Sequence, residues 1–481
     1  MKISIDQWKP NKSSKTSLTH QIVSYFKERV QTGDWLTGAM LPSQRKLAHQ
    51  FGVNRSTIVE AINELTALGI VETAVGRGTV IANNTWSLLL ETPNWHKYID
   101  SSLHPSNRPT IQKINHYEFD ESYIRLSTGE ISSDLMPKAY ISKTLETIAK
   151  DQVTFNYLEP LGLYELRQEL CQYLKRYQLD IHPEEMLIVS GSLQALQLIA
   201  LSILGKDSSV FIEENSYITS LKVFDYSGIT MKPAPTDANG VIPWLIDDKN
   251  LNPQSLLYTI PTFHNPTGHT MSSERRQEIL SWCKRHQLPI IEDDAYRELY
   301  FDDLPLHPIK SYDDSGNVLY MGSVSKSLAP GMRIGWIVGP KSIIDRLGDI
   351  KMQTDYGASS VSQWFMTYFL RNGLYEKHLE ELRIKLKLRR DLLLDLLDQY
   401  FKDLAYWDKP QGGFYIWLRF NKKISTEKLF ELALEEHLLI NPGYVYSHKK
   451  NNAIRLSFCY ASEEQLKVGI KKLAEIVKNL Q

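Results

Sequence analysis

The sequence predicts a small helical domain with a β wing, followed by a large α/β domain and a smaller α+β domain. Three observations predict this. Residues 1–82 hold short helical patterns across a tight glycine turn, then two strand-like runs around a Gly-flanked tip. From residue 121, apolar strand-like runs alternate with helical patterns, the rhythm of an open, mostly parallel sheet. The polar residues suited to chemistry in that part fall in turns after strands, where open α/β sheets receive ligands. The boundaries are set at 1–82, a linker at 83–120, the large domain at 121–345 and the small domain at 346–481.

With 481 residues, 42% hydrophobic and 23% charged, the chain has room for about three globular domains. Cys171, Cys283 and Cys459 lie too far apart for a disulfide framework or a zinc knuckle. Met1–Asp6 lacks the apolar core of a signal peptide, and no run approaches the roughly 18 apolar residues of a membrane span. A cytoplasmic protein with no membrane partner is expected. Net charge is −1, yet residues 1–82 carry ten Lys and Arg against six Asp and Glu, which leaves the remainder at −5. A mildly basic small domain suits nucleic-acid contact.

Within that domain, Ile22, Val23, Phe26 and Val30 form one stripe of a helix from Leu18 to Val30. Ser43 caps a short helix from Gln44 to Phe51, Gly52 ends it, and Asn54 caps the next, Arg55 to Leu68. Two helices across a glycine turn read as helix-turn-helix, and residues 69–81 as a wing with Arg77 at its tip. In a major groove, the second helix would present Arg55, Ser56 and Thr57 to bases and phosphates. Ser43 and Arg45 lie where a helix start meets a phosphate, and Arg77 suits a minor groove. From these residues alone, a winged module that binds protein is the alternative.

Three stretches narrow the choice: Leu41-Pro42-Ser43-Gln44-Arg45-Lys46-Leu47-Ala48, Gly52-Val53-Asn54-Arg55-Ser56-Thr57-Ile58 and Gly76-Arg77-Gly78-Thr79. Together they resemble the GntR family of winged-helix regulators over the whole segment. The resemblance implies a double-stranded DNA operator contacted through Arg45, Arg55, Ser56, Thr57 and Arg77. Val59 departs from it, since several members carry arginine there.

Between 83 and 120 the periodicity is lost, and Pro93, Pro105 and Pro109 mark a linker, with Trp86, Leu88–Leu90 and Trp95 apolar enough to dock on a folded surface. His96, His104 and His116 have no ligand-like spacing, so no metal site is expected.

In the large domain, Ser190-Gly191-Ser192-Leu193 joins a strand to a helix, gathering free N–H groups at the positive end of a helix dipole, a seat for phosphate. Tyr217 follows a strand and is placed to stack on a ring. Asn265-Pro266-Thr267-Gly268 puts an amide at a strand end, or serves as a structural turn only. Asp293-Asp294-Ala295-Tyr296 ends a buried strand with two acids, one of which needs a cationic partner. Gly322-Ser323-Val324-Ser325-Lys326 places a lysine in a Ser- and Gly-rich turn, with Arg333 seven positions on. That set suits a Schiff-base lysine for pyridoxal 5′-phosphate (PLP). In the small domain, Arg455 on an apolar strand reads either as a structural salt bridge or as a clamp for an α-carboxylate. The Lys- and Arg-rich helix from Glu376 to Leu397 reads as a solvated face.

The order Tyr157, Gly191-Ser192, Tyr217, Asn265, Asp293, Tyr296, Ser323, Lys326, Arg333 resembles the fold type I, aspartate-aminotransferase-like PLP family from about residue 125 to 481. This implies that Lys326 holds the cofactor, Asp293 pairs its ring nitrogen, and Asn265 and Tyr296 reach its phenolic oxygen. Ser192, Ser323 and Arg333, with Gly191 and Leu193, hold the phosphate, and Tyr157 reaches it from the other subunit of a dimer. A winged helix ahead of such a domain resembles the MocR-type subfamily of GntR regulators. What it implies is a domain-swapped homodimer, a transcriptional regulator that senses an amino acid or amine, or PLP itself, through aldimine chemistry at Lys326. An active aminotransferase carrying a DNA-binding domain is the alternative.

Overall fold

The computed structural model describes residues 8–14, 16–74, 78–82, 107–151, 153–225, 228–247 and 251–481, together with Ile3, Ile5 and Lys249. The chain divides into two compact units, Met1–Pro105 and Ser106–Gln481.

The first unit is a three-helix domain with a two-stranded wing. Helix α1 (Leu18–Gln31) is capped by Ser17, whose hydroxyl accepts from His20 N at 3.2 Å. Helix α2 (Gln44–Phe51) starts on Ser43, which accepts from Lys46 N at 3.4 Å. It stops at Gly52, whose φ of 65° lies in the left-handed region that glycine enters without strain. Helix α3 (Arg55–Ala67) follows Asn54, which holds the cap position without a side-chain capping bond. Ile22, Phe26, Leu47, Phe51, Ile58, Ile62 and Leu65 bury against one another, each contributing about 1.5–3 kcal/mol by leaving water. Strands β1 (Val71–Ala74) and β2 (Gly78–Ile81) pair antiparallel, Val71 opposite Ile81 and Ala74 opposite Gly78. Arg77 lies outside the described residues.

The second unit opens with α4 (Pro109–Tyr117). The sequence reading assigns this stretch to the linker, and the structure corrects it. Pro109 stands at the first helical position, where its missing N–H costs nothing, and Ile111 and Ile114 are buried one turn apart in the small domain's core. Residues 83–106 of the assigned linker lie outside the described residues.

Seven strands make the large sheet: β3 (Met186–Val189), followed by helix α5 (Ser192–Ser202), then β4 (Ser209–Glu213), β5 (Thr230–Ala234), β6 (Leu256–Thr259), β7 (Ile290–Asp293), β8 (Val318–Ser323) and β9 (Gly335–Val338). Their spatial order is β3-β9-β8-β7-β6-β4-β5. Neighbours run parallel except at β9, which is antiparallel to both β8 and β3. Strands β6, β7 and β8 are buried along their whole length, as expected where both faces are covered. Their carboxyl ends deliver Asp293 and Ser323 to one rim of the sheet.

The small domain is an antiparallel sheet of β10 (Ala405–Tyr406), β11 (Tyr415–Phe420), β12 (Asn441–Pro442) and β13 (Ala453–Ser457), in the order β10-β11-β13-β12. Long helix α6 (Leu374–Tyr400) packs Leu382, Leu386, Leu393 and Leu397 into its core. This helix is not simply a solvated face. Arg389 and Arg390 are buried: Arg389 donates to Ser132 Oγ at 2.9 Å and to Cys459 O at 3.1 Å, and Arg390 donates to Pro410 O at 2.8 Å. Among the described residues, no helix is long and apolar enough to cross a membrane.

Candidate functional site

In the first unit, Ser43, Arg45 and Arg55 line one depression of about 680 Å³, together with Lys46 and Thr79 of the wing strand. Helix starts α2 and α3 deliver them, so two N-terminal dipole ends and three cations share one surface. Arg45, Lys46, Arg55 and Ser56 are exposed and Thr57 is half-buried. Ser43 Oγ accepts the capping bond, which leaves its hydroxyl hydrogen to donate outward. Lys46 is the addition that the sequence reading did not single out, although it sits inside the quoted motif.

In the second unit the polar side chains converge on the rim of the large sheet, facing β13. Lys326 sits in the turn after β8, and its Nζ donates to Gly129 O at 2.6 Å. Burial holds its ammonium below the usual lysine range. Asp293 ends β7, accepts from Tyr258 OH at 2.8 Å and from Ala295 N at 3.3 Å, and has no ion pair among the described residues. Burial pushes its carboxyl up to about 6. The neighbouring Asp294 is the acid that found a protein cation, pairing with Arg297.

A hydrogen-bonded chain links the two domains of this unit. Arg455 Nη1 donates to Asn265 Oδ1 at 2.8 Å, Asn265 Nδ2 donates to Tyr296 OH at 3.1 Å, and that hydroxyl meets Tyr415 OH at 3.1 Å. Arg455 also donates from Nη2 to Ser127 O at 2.8 Å and lies 4.1 Å from the Tyr415 ring centre. It is 4% exposed, its Nε has no partner, and no carboxylate pairs with it among the described residues. The structural salt bridge offered by the sequence is therefore not formed there.

A third cluster gathers at the start of α5. Arg333, itself at φ 52°, donates from Nη2 to Ser190 O at 2.5 Å and lies over Gly191. A Cβ on Gly191 would stand 2.6 Å from that Nη2, and Gly191 has φ 88°. Only glycine leaves the cradle open. Ser192 and Leu193 open the helix beside it. Ser323 Oγ donates to Ile334 O at 3.0 Å and accepts from Ser325 N at 3.1 Å, which fixes the turn leading to Lys326.

Tyr217 donates its N–H to Asn265 O at 3.0 Å and lines a cavity of about 290 Å³ with Lys326, Arg455, Tyr415 and Gly129. Tyr157 is not brought to this cluster within its own chain. It is 81% exposed, with its ring centre 4.9 Å from that of Tyr356. Gly129, Ser127, Tyr258 and Tyr415 are site residues that the sequence reading does not single out. Tyr415 does carry a local signal, since it follows the glycine pair Gly412-Gly413 at the start of an apolar strand. The others carried no local signal. Among the described residues, no group of three His, Cys, Asp or Glu is arranged to hold a metal ion.

Comparison with known proteins places each unit. Residues 18–81 match the model of the gntR family of bacterial regulatory proteins, and residues 121–473 match aminotransferase class I and II. The uncharacterized HTH-type transcriptional regulator YisV of Bacillus subtilis (strain 168) is 44% identical over 481 residues, covering 99% of both chains. The HTH-type transcriptional regulator NorG of Staphylococcus aureus (strain N315) is 38% identical, covering 92% of this chain and all of that one. Among solved structures, the kynurenine aminotransferase of Pyrococcus horikoshii aligns with a TM-score of 0.73 at 32% identity, covering 78% of this chain and 96% of that one. An archaeal alanine:glyoxylate aminotransferase aligns with a TM-score of 0.75 at 30% identity, covering 80% and 100%.

Proposed function

The chain belongs to the GntR-type transcriptional regulators that carry an aminotransferase class I and II domain, and from that membership we propose that it is a PLP-dependent regulator whose operator affinity responds to an amino acid or amine. The observation that carries the cofactor assignment is the cradle at α5: a glycine whose Cβ would strike Arg333, at a helix N-terminus, beside the turn of Ser323 and Lys326. It fits a phosphate. Asp293, buried and without an ion pair among the described residues, fits a protonated ring nitrogen. When bound, PLP supplies an aldehyde that captures amines reversibly and a ring that withdraws electrons.

The chain's own residues then have separable roles. Lys326, kept by burial from holding its proton as tightly as a solvated lysine, is poised as an amine nucleophile. Asp293 keeps a proton at the ring nitrogen. Asn265 and Tyr296 orient the ring from its phenolic side. Arg455 receives the effector's α-carboxylate, since its guanidinium pairs with no acid among the described residues and is held in position by Asn265 and Ser127. Tyr157, exposed on its own chain, is assigned to the partner's phosphate in a homodimer, which the family resemblance further implies to be domain-swapped. Ser43, Arg45, Arg55, Ser56 and Thr57, with Arg77 of the wing tip, contact the operator, and the protein works in the cytoplasm.

Arg455 and Asn265 connect the effector to the placement of β13 against the large sheet. An effector shifts operator affinity only through different affinity for two arrangements of these parts. The completeness of the Lys326, Asp293 and Arg455 set also favours a second reading, an aminotransferase that turns over. The test is operator binding by the full-length protein, with and without PLP, across a panel of amino acids, in wild type and Lys326→Ala. The regulator reading expects a response to at least one amino acid that the variant loses. A response that persists in Lys326→Ala removes Lys326 from the mechanism.

A further inference from the structure

The cavity beside Lys326 is lined by two acids as well as by Arg455. The end of α4 and the turn after Gly129 bring Glu118 and Glu130 to the same space. Both are half-buried, and neither carboxylate has a hydrogen bond or ion pair among the described residues. Two unpaired carboxylates sharing one cavity repel each other, and burial together with Glu118 raises the Glu130 carboxyl above its usual range. A cation placed between them would relieve both effects. Arg455 lines the same cavity, buried and with an unpartnered Nε, and calls for an anion. Ile111, Ile114, Leu221 and Val445 add apolar wall to it.

One cavity thus offers an anion seat, an apolar lining and two carboxylates for a cation. We propose that the effector is a linear amino acid with a second amine at the end of its side chain, an inference that rests on the reading of this cavity as the effector site. The α-carboxylate is held by Arg455 and the α-amine faces Lys326. The methylenes lie along Ile111 and Ile114, and the distal ammonium sits between Glu118 and Glu130. The same contacts connect effector to conformation. Helix α4 is tied to the small domain, with Arg108 Nη1 donating to Tyr444 O at 3.0 Å and Thr110 Oγ1 bonded to Tyr444 OH at 3.0 Å. A ligand held by Glu118 and Arg455 is thus seated on the small domain, and its α-amine, facing Lys326, joins that domain to the turn after β8.

The test is isothermal titration calorimetry of the full-length, PLP-loaded protein with L-lysine and L-ornithine, set against their isosteres L-norleucine and L-norvaline, which lack the distal amine. The absorbance band is followed in parallel to confirm that the cofactor is in place. A charge-assisted contact predicts that a diamino acid binds at least about ten-fold more tightly than its isostere. In Glu118→Gln and Glu130→Gln that ratio should fall toward one. Equal affinity of L-lysine and L-norleucine, and of L-ornithine and L-norvaline, would overturn the inference while leaving amino-acid sensing intact. So would a preference for the diamino acids that both variants keep, because the carboxylates would then act only on Lys326 or on the partner subunit. Should no amino acid bind at all, the reading of the cavity as an effector site falls, and this inference falls with it.

Discussion

Replacing Asp293 with asparagine should make the cofactor-free protein more stable and the cofactor-bound protein less so. The carboxyl sits at the end of β7 with its ordinary value of 3.8 pushed up to about 6 by burial. A raised value in the folded state means that the charged carboxylate is less favourable there than in the unfolded chain. The cost is absent where both states are protonated, below about pH 4, and complete above about pH 6. About two pKa units correspond to roughly 3 kcal/mol. Asparagine removes the charge and keeps an oxygen for the Tyr258 hydroxyl, which donates to Asp293 at 2.8 Å. Urea midpoints of cofactor-free protein should therefore favour Asp293→Asn at about pH 8, with the advantage shrinking toward zero near pH 4. Adding PLP gives the native carboxylate its cationic partner and reverses the order. Identical midpoints at both pH values, or an unchanged PLP dissociation constant, would refute the assignment of Asp293.

Other substitutions separate the remaining parts. Gly191→Ala puts a Cβ 2.6 Å from Arg333 Nη2 at a backbone φ of 88°, so PLP affinity measured by equilibrium dialysis should weaken at least ten-fold, given about 1–3 kcal/mol of strain and displacement of the arginine; unchanged affinity would mean that the cradle does not hold phosphate. Arg55→Ala should cost about 1–3 kcal/mol of specific operator binding in a mobility-shift titration, with little change on unrelated DNA. Arg45→Ala should weaken binding to all sequences and flatten the salt dependence of log K by about one unit; a loss confined to the operator would make Arg45 a base reader. Arg455→Lys should retain the cofactor band yet raise the amino-acid concentration that perturbs it, because lysine cannot make the paired contacts of a guanidinium.

Much of the site was legible because its residues lie in short turns after strands, where local spacing and chemical function coincide. Asn265, Asp293, Lys326 and Arg333 each announced themselves through immediate neighbours, and the sheet's carboxyl rim brings the first three close. What stayed hidden depends on topology. Gly129 and Ser127 meet Lys326 and Arg455 across about two hundred and three hundred residues, and only their backbone carbonyls take part, so no side chain marks them. Tyr258 is one apolar letter in a buried strand until its hydroxyl is seen against Asp293. Helix α4 was hidden by Pro109, which reads as a breaker but here occupies the first helical position. The buried arginines of α6 misled in the other direction, since a charged helix reads as solvated until backbone carbonyls are found at its guanidinium groups. In the first unit, capping residues and the glycine turn gave the helix boundaries to within about a residue.

The most direct test is the visible absorption spectrum of the purified protein, titrated with single amino acids while keto acid is assayed in the same sample. The account predicts a PLP band that is absent in Lys326→Ala, that shifts with a particular amino acid and then holds, and that is accompanied by no stoichiometric keto acid. A band that bleaches, releases keto acid and returns when keto acid is added would make the protein an aminotransferase first. No band in the wild type after incubation with PLP would contradict the cofactor assignment itself.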